Sequence, residues 1–138
     1  MTPSQVELVK DGFQAIYQEK QEFARSYFTQ LFLISPALRD TFPPDMVGQH
    51  QKLAETLTFV IFHLHDPAKL QEAAEMLAQR HLGTEARLPH FTIGAVALHR
   101  ALEKHMPHNF TDEEAEAWRA AYFLVTDLMA ETLGNRVA

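Results

Sequence analysis

The sequence predicts an all-α fold for a chain of 138 residues. Apolar residues recur at steps of three and four along most of the chain, which is the period of an amphipathic helix. Seven prolines punctuate the sequence and leave long segments without any proline between them. No segment alternates apolar and polar residues as a half-buried strand does, and no Asn-Gly hairpin signal occurs. We therefore expect helices packed around a core.

The first half of the chain predicts three helices and one helical turn. Thr2, with Gln5 three positions later, is a capping-box start for the first helix. Residues 18–21 are polar and predict a bend, and a short helical turn covers 36–42 before two prolines form a rigid corner. The third helix is predicted over 46–65. The three apolar stripes are Val6, Val9, Phe13 and Ile16; Phe23, Tyr27, Leu31 and Ile34; and Leu53, Leu57, Val60, Ile61 and Leu64.

The second half predicts three more helices. One covers 67–81, and a capping box of Thr111 and Glu114 begins the last helix. Gly134 suits the C-terminal end of that helix, because glycine adopts the left-handed cap conformation readily. The apolar stripes are Leu70, Ala73, Ala74 and Leu77; Phe91, Ala95, Leu98 and Leu102; and Trp118, Tyr122, Val125 and Met129.

Composition excludes several classes of function. The chain has no cysteine, so disulfides, thiolate metal sites, iron–sulfur clusters and cysteine catalysis are ruled out. A formal charge of −6, from 12 basic and 18 acidic residues, argues against nucleic acid as a partner. The first residues lack the basic and apolar regions of a secretion signal, and the apolar stretches are too short to span a bilayer. We expect a cytoplasmic protein with no membrane partner.

His81 lies at the end of an apolar helical stripe. A histidine that faces the core there needs a hydrogen-bond partner or a metal ion. On its own, this pattern more often marks a core histidine whose ring is hydrogen-bonded within the protein. The residues elsewhere in the chain change that interpretation.

Five residues occur in the order that a flat apolar cofactor with a metal ion requires. His81 supplies a neutral imidazole, and Phe42 an aromatic wedge where the chain enters the pocket. Gln49 and Leu53 are four apart and share a helical face, so one polar and one bulky apolar side chain lie together opposite the imidazole. Lys52 is placed at the rim, where a cofactor carboxylate would meet solvent.

With these residues, the chain resembles the bacterial single-domain globins, in particular the haem domain of flavohaemoglobins and the Vitreoscilla-type haemoglobins. The resemblance covers nearly the full length. It depends on Leu31-Phe32, Ser35-Pro36 through Phe42, Gln49 through Leu57, Arg80-His81, Phe91 through Gly94, and Ala117-Trp118 with Ala121-Tyr122. It implies a globin fold, with helices packed around a haem pocket between the 46–65 and 67–81 helices, and without a clear short helix between 43 and 46.

The resemblance also implies which residues hold the cofactor. His81 is expected to be the metal ligand, bound to the iron of a non-covalently held haem b. Its other ring N–H can donate to the carbonyl of Leu77, one turn back, which fixes the tautomer. The remaining cofactor-contacting residues are expected to be Phe28, Phe42, Gln49, Lys52, Leu53, Leu77, Phe91 and Tyr122.

The sequence departs from the family pattern at two points. Flavohaemoglobins have a tyrosine facing bound dioxygen at the position of Phe28, whereas Tyr27 lies one residue earlier, on another face. They also have a tyrosine and a glutamate behind the histidine. Tyr122 matches the tyrosine, but the glutamate position is Leu133, and Glu131 is out of register. At these two positions the sequence therefore offers neither the hydroxyl that would stabilise dioxygen nor the carboxylate that would increase electron donation.

An alternative alignment of the 46–65 helix changes the residue that lies above the iron. A slip of one position places His50 there instead of Gln49 and gives a six-coordinate haem. No catalytic residue is assigned in either register.

We expect a single globin domain over 1–138, monomeric or homodimeric, that reversibly binds dioxygen, nitric oxide and carbon monoxide. An external reductase would be needed for nitric oxide dioxygenation. The alternatives are a haem-free or haem-based sensory or interaction module and a weak haem peroxidase.

Overall fold

The structure is a computed structural model that describes the backbone of residues 1–81 and 88–137 and the side chains of 1–80 and 91–134. The described chain forms helices and no strand, so the predicted all-α class is confirmed. The helices are α1 (Pro3–Ile16), α2 (Lys20–Ile34), α3 (Val47–Phe62), α4 (Pro67–His81), α5 (Leu88–His105) and α6 (Asp112–Val137), with 3₁₀ helices at Tyr17–Glu19 and Pro36–Thr41.

Both predicted capping boxes are confirmed. The backbone N–H of Gln5 donates to Thr2 Oγ1 at 3.1 Å, and the N–H of Thr2 donates to Gln5 Oε1 at 3.0 Å. At the start of α6, the N–H of Glu114 donates to Thr111 Oγ1 at 3.1 Å, and Glu114 Oε1 accepts from Thr111 N–H at 3.3 Å. Each box satisfies backbone donors that a helix start leaves unpaired.

The third helix is shorter than predicted. It covers Val47–Phe62 rather than 46–65. Asp45 Oδ1 accepts from the N–H of Val47 at 3.0 Å, so a side chain before the helix satisfies its first donor. At the other end, His63 Nδ1 lies 2.7 Å from the carbonyl oxygen of Phe59. These local side-chain bonds compete with one more helical turn.

Two other predicted boundaries are wrong. A bend was predicted over residues 18–21, whereas the structure has a 3₁₀ helix over Tyr17–Glu19 that leads directly into α2. Gly134 does not end α6, which continues to Val137. Its φ lies outside the left-handed region, so the glycine continues the right-handed helix instead of capping it.

The helices pack in pairs. α2 packs against α5 and α3, while α6 packs against both α1 and α4. The largest fully buried side chains are Phe23, Leu102 and Val9. Burying side chains of this size stabilises the fold by about 1.5–3 kcal/mol each. Among the described helices, none has the length and hydropathy needed to cross a lipid bilayer.

Candidate functional site

A cavity of about 400 Å³ is lined mainly by α2, α3 and α6, and α4 and α5 each contribute two residues to it. This volume is within the range of small-molecule and cofactor pockets. Most of its lining is aliphatic or aromatic, and the deeply buried Val9 and Phe23 form part of its wall. The cavity is therefore an apolar chamber and not a polar cleft.

The cavity brings together side chains that the sequence analysis placed around a cofactor. Those that line it are Phe28, Phe42, Gln49, Lys52, Leu53, Leu77, Phe91 and Tyr122. His81 is the last residue of α4. The position of its side chain lies outside the described part of the structure, so its role as a metal ligand stays a prediction.

Phe28 and Phe42 line one wall of the cavity, and Phe32 packs against both of them without lining it. The ring of Phe42 lies 5.4 Å from the rings of both Phe28 and Phe32, edge to face in each case, and Phe28 and Phe32 stack at 6.0 Å. Arg39 fixes the chain after Phe42, because its guanidinium donates to the carbonyl oxygen of Pro43 at 3.0 Å. Phe42 is thus held in place where the chain enters the cavity wall. Phe28, in the same wall, has no hydroxyl group.

Gln49 and His50 differ in what they face. Gln49 lines the cavity, whereas His50 is not among the lining residues. The His50 ring packs against Phe28 at 5.8 Å. Burial and the nearby positive charge of Arg25 lower the pKa of His50, so the ring is neutral at pH 7. The register with Gln49 toward the cavity is the one this geometry favours.

Tyr27 reaches the cavity as well, although the sequence placed it on a different face from Phe28. Its hydroxyl is hydrogen-bonded to that of Tyr122, which donates to the carbonyl oxygen of Phe91 at 2.6 Å. A phenol has one proton, so the Tyr122 oxygen accepts from Tyr27. Burial raises the pKa of Tyr27 to about 12 and that of Tyr122 further above its usual value. Both phenols therefore stay neutral and connect α2, α6 and α5.

Two cations lie at the solvent-exposed edge of the cavity. Lys52 and Arg80 are both exposed, and among the lining residues that the structure describes they are the charged ones. Arg80 Nη1 donates to Thr56 Oγ1 at 3.1 Å, and Thr56 Oγ1 donates to the carbonyl oxygen of Lys52 at 2.7 Å. Sequence reasoning assigned no role to Arg80 or Thr56, since 24 residues separate them and no local pattern pairs them.

The region beside the end of α4 is apolar. Ala78, Phe91 and Met129 form a buried cluster, and the partly buried Leu77 and Leu133 pack against it. Leu133 is the position where the flavohaemoglobin pattern has a glutamate. Its aliphatic side chain lies in apolar surroundings, where an unpaired carboxylate would be strongly disfavoured.

The donor set of the cavity fits a flat apolar group with an acidic edge. The walls are apolar, the exposed edge carries two cations, and no acidic side chain is found among the described lining residues. Trp118 Nε1 and Thr126 Oγ1 are buried, line the cavity, and have no hydrogen-bond partner among the described residues. Such orphaned polar atoms are rare in proteins and indicate a bound group or an ordered water. No cluster of three or more His, Asp or Glu side chains suited to a metal occurs within residues 1–80 and 91–134.

Comparison with known proteins identifies relatives over most of the chain. A family model described as Globin matches residues 24–129. A flavohemoprotein of Bordetella pertussis is 27% identical over 132 residues, which are 94% of this chain and 33% of that protein. A flavohemoprotein of Vibrio cholerae is 24% identical over 141 residues, covering 97% of this chain and 35% of that protein. The chain thus spans about a third of the length of these flavohemoproteins.

A plant protein is similar over a larger share of its own length. An anaerobic nitrite reductase of Brassica napus is 24% identical over 136 residues, which are 88% of this chain and 84% of that protein.

Proposed function

The chain belongs to the globin family, and from that premise we propose that it binds one haem b in the cavity and takes up dioxygen reversibly there. The predicted fold, a globin fold with its helices around a pocket, agrees with the family match. Nitric oxide and carbon monoxide are expected to compete for the same place. The observation that carries the proposal is the lining of the cavity, which is mostly aliphatic or aromatic and carries two cations at its exposed edge.

His81 is proposed as the axial ligand, because α4 ends at this residue and Leu77, one turn earlier, lines the cavity. A neutral imidazole is the common protein ligand of haem iron in globins. When bound, the haem supplies an iron atom that coordinates diatomic gases and exchanges single electrons.

The residues opposite α4 determine what surrounds a bound gas molecule. Phe28, Phe42 and Leu53 exclude water, since their side chains are apolar and line the same part of the cavity. Gln49 supplies an amide N–H in the same region. A neutral hydrogen bond of this kind contributes about 0.5–1.5 kcal/mol. We therefore expect moderate retention of dioxygen, governed by one amide donor.

Nitric oxide dioxygenation to nitrate is the enzymatic reaction we propose, given a reductase as a source of electrons. The similarity to proteins named flavohemoprotein supports it. Peroxidase chemistry is less well supported, because Leu133 packs in an apolar cluster where a carboxylate would be needed to increase electron donation by the histidine.

The test has two parts. The ferrous, haem-loaded protein is mixed with dioxygen or carbon monoxide, and spectral changes that reverse when the gas is removed are expected. The oxygenated protein is then mixed with nitric oxide in a stopped-flow instrument, with and without a flavin reductase, and nitrate is measured. Fast nitrate formation, sustained only with the reductase, supports dioxygenation. Reversible gas binding with slow nitrate formation restricts the role to oxygen handling or sensing, and no gas binding overturns the proposal.

A further inference from the structure

A second pocket, of about 330 Å³, lies at the surface where α2 meets the last turn of α5. It shares no lining residue with the apolar cavity, and each of its own described lining residues is polar or charged. Those residues are Glu22, Arg25, Ser26, Thr29, Gln30 and Lys104. Five of the six are three or four positions apart on α2 and therefore share one helical face. The proposed function uses none of them.

The pocket concentrates positive charge in an acidic protein. The chain carries a formal charge of −6, yet Arg25 and Lys104 line this pocket together with a single carboxylate, Glu22, from the described residues. Arg25 and Lys104 are both exposed, and neither forms an ion pair with a carboxylate of the described part of the chain. Guanidinium and ammonium groups are the side chains that proteins use to bind phosphate, the first as a planar fork and the second as a point charge.

Ser26 is hydrogen-bonded to a histidine on the neighbouring helix. Its Oγ lies 2.6 Å from His105 Nε2. The His105 ring also meets the fully buried Phe23 ring edge to face, with 5.8 Å between the ring centres, so its orientation is restrained. When Nε2 carries a proton, the ring donates to Ser26 Oγ, and the Ser26 hydroxyl can donate its own proton to a ligand. An anion in the pocket favours this arrangement, because it accepts that proton.

The two hydroxyl groups of the pocket differ in where their protons go. Thr29 Oγ1 donates to the carbonyl oxygen of Arg25 at 3.0 Å, so this hydroxyl has no proton left for a ligand. Ser26 has no such bond to the backbone. Gln30 also lines the pocket and supplies an amide with two N–H donors. The neutral donors available to an anion are therefore Ser26 and Gln30.

We propose that this pocket binds a phosphate group, either as inorganic phosphate or at the end of a small phosphomonoester. Arg25 and Lys104 supply the positive charge, and Ser26 and Gln30 supply neutral hydrogen bonds. Glu22 weakens the binding, since its carboxylate is a like charge beside the anion. The inference does not depend on haem binding and goes beyond the proposed function.

The test is isothermal titration calorimetry of the purified protein with inorganic phosphate and with glycerol phosphate, at low ionic strength because salt screens exposed charges. We expect saturable binding, and the ligand that binds more tightly identifies the form of phosphate that the pocket takes. Arg25→Leu and Lys104→Leu should each weaken this binding about three- to tenfold. The matched control is Arg119→Leu, which removes the same charge from an exposed position outside the pocket and should have no effect.

Two further pairs of variants test the local chemistry of the pocket. Ser26→Ala should weaken phosphate binding about two- to tenfold, because it removes a hydrogen-bond donor. Thr29→Ala should leave it unchanged, because that hydroxyl proton is already given to the backbone. Glu22→Gln removes the opposing charge and should tighten binding about two- to fivefold. Glu7→Gln makes the same change in net charge at an exposed position of α1 and should have no effect.

Each outcome decides the inference. Weaker binding in the variants that remove a donor, together with tighter binding in Glu22→Gln, supports it. The absence of saturable binding by wild type overturns it. Equal weakening by Arg25→Leu and Arg119→Leu also overturns it, since phosphate then responds to net charge alone. If a leucine variant is unfolded by circular dichroism, the comparison of Glu22→Gln with Glu7→Gln still decides, because it measures a gain of affinity: equal affinities in that pair contradict the site.

Discussion

The Tyr122 hydroxyl occupies the space that a side chain at Gly94 would need. A Cβ atom built on Gly94 would collide with the Tyr122 hydroxyl oxygen and would lie 2.9 Å from the hydroxyl oxygen of Tyr27. Glycine at this point of α5 therefore lets the two phenols lie directly against the helix. This arrangement joins three helices at one side of the cavity, where Tyr122 also bonds to the carbonyl of Phe91.

Replacing this glycine should destabilise the fold. Gly94→Ala forces Tyr122 to move, and overpacking of this kind costs about 1–3 kcal/mol. The control is Gly48→Ala, because a Cβ at Gly48 has open space around it. That substitution should be neutral or stabilise α3 by up to about 1 kcal/mol. Urea unfolding of both variants measures the difference, and equal effects would contradict the packing described for Gly94.

The direction of the phenol hydrogen bonds predicts unequal effects for two similar substitutions. Tyr122→Phe leaves the Tyr27 hydroxyl without its acceptor and also removes the bond to Phe91, so we expect a loss of about 1–3 kcal/mol. Tyr27→Phe keeps the bond from Tyr122 to Phe91 and should cost about 0.5–1.5 kcal/mol. Unfolding free energies at pH 7 test the order. A larger loss of unfolding free energy for Tyr27→Phe would mean that Tyr122 donates to Tyr27 and not the reverse.

The raised pKa of Tyr27 predicts a loss of stability in alkali. Burial raises this pKa from 10.0 in the unfolded chain to about 12 in the folded one. The unfolded state therefore releases the proton first, and the contribution to stability is complete below pH 10 and is lost as the pH rises towards 12. Stability should fall more steeply in wild type than in Tyr27→Phe over this range. Parallel curves of unfolding free energy against pH would contradict it.

Much of the fold could be predicted from the sequence because its signals are local. The helix starts at Thr2 and Thr111 each require one reciprocal capping pair three residues apart, and both pairs form. The predicted helix end at Gly134 was wrong, because a glycine permits the left-handed cap conformation without requiring it. Local patterns therefore predict helix starts that a capping pair determines. They are less informative about helix ends, which depend on packing as well.

The candidate site also has features that local spacing predicts and features that it does not. The spacing of Gln49, Lys52 and Leu53 on one helix was enough to predict that all three lie together, and all three line the cavity. The contact of Thr56 with Arg80 and that of Gly94 with Tyr122 join different helices. Periodicity along the chain does not predict such contacts, since they depend on which helices pack against each other.

Control of gas release should lie with Gln49. Gln49→Leu removes the amide donor, and loss of one neutral hydrogen bond should speed dioxygen release about two- to tenfold. His50→Leu is the matched control, because His50 packs on Phe28 and does not line the cavity, so release should change little. Phe28→Tyr should slow release if the new hydroxyl reaches the gas. Dissociation rates measured by stopped-flow absorbance test these expectations.

The ferric spectrum tests the alternative register. If His50→Leu abolishes a low-spin six-coordinate spectrum while Gln49→Leu has no effect, the slipped register is correct. If neither variant alters the rate of ligand release, another polar group controls that rate. The assignment of α3 to the face above the cofactor is then wrong.

The most direct test of the central claim is a titration of the purified apoprotein with haemin, followed by absorbance in the Soret region, for wild type and His81→Ala. Wild type should saturate at one haemin per chain and give distinct ferric and ferrous spectra typical of histidine ligation. His81→Ala should bind haemin more weakly and lose the histidine-ligated spectrum, and added imidazole should restore part of it. A wild-type protein that stays colourless, or a His81→Ala spectrum identical to wild type, would contradict the account.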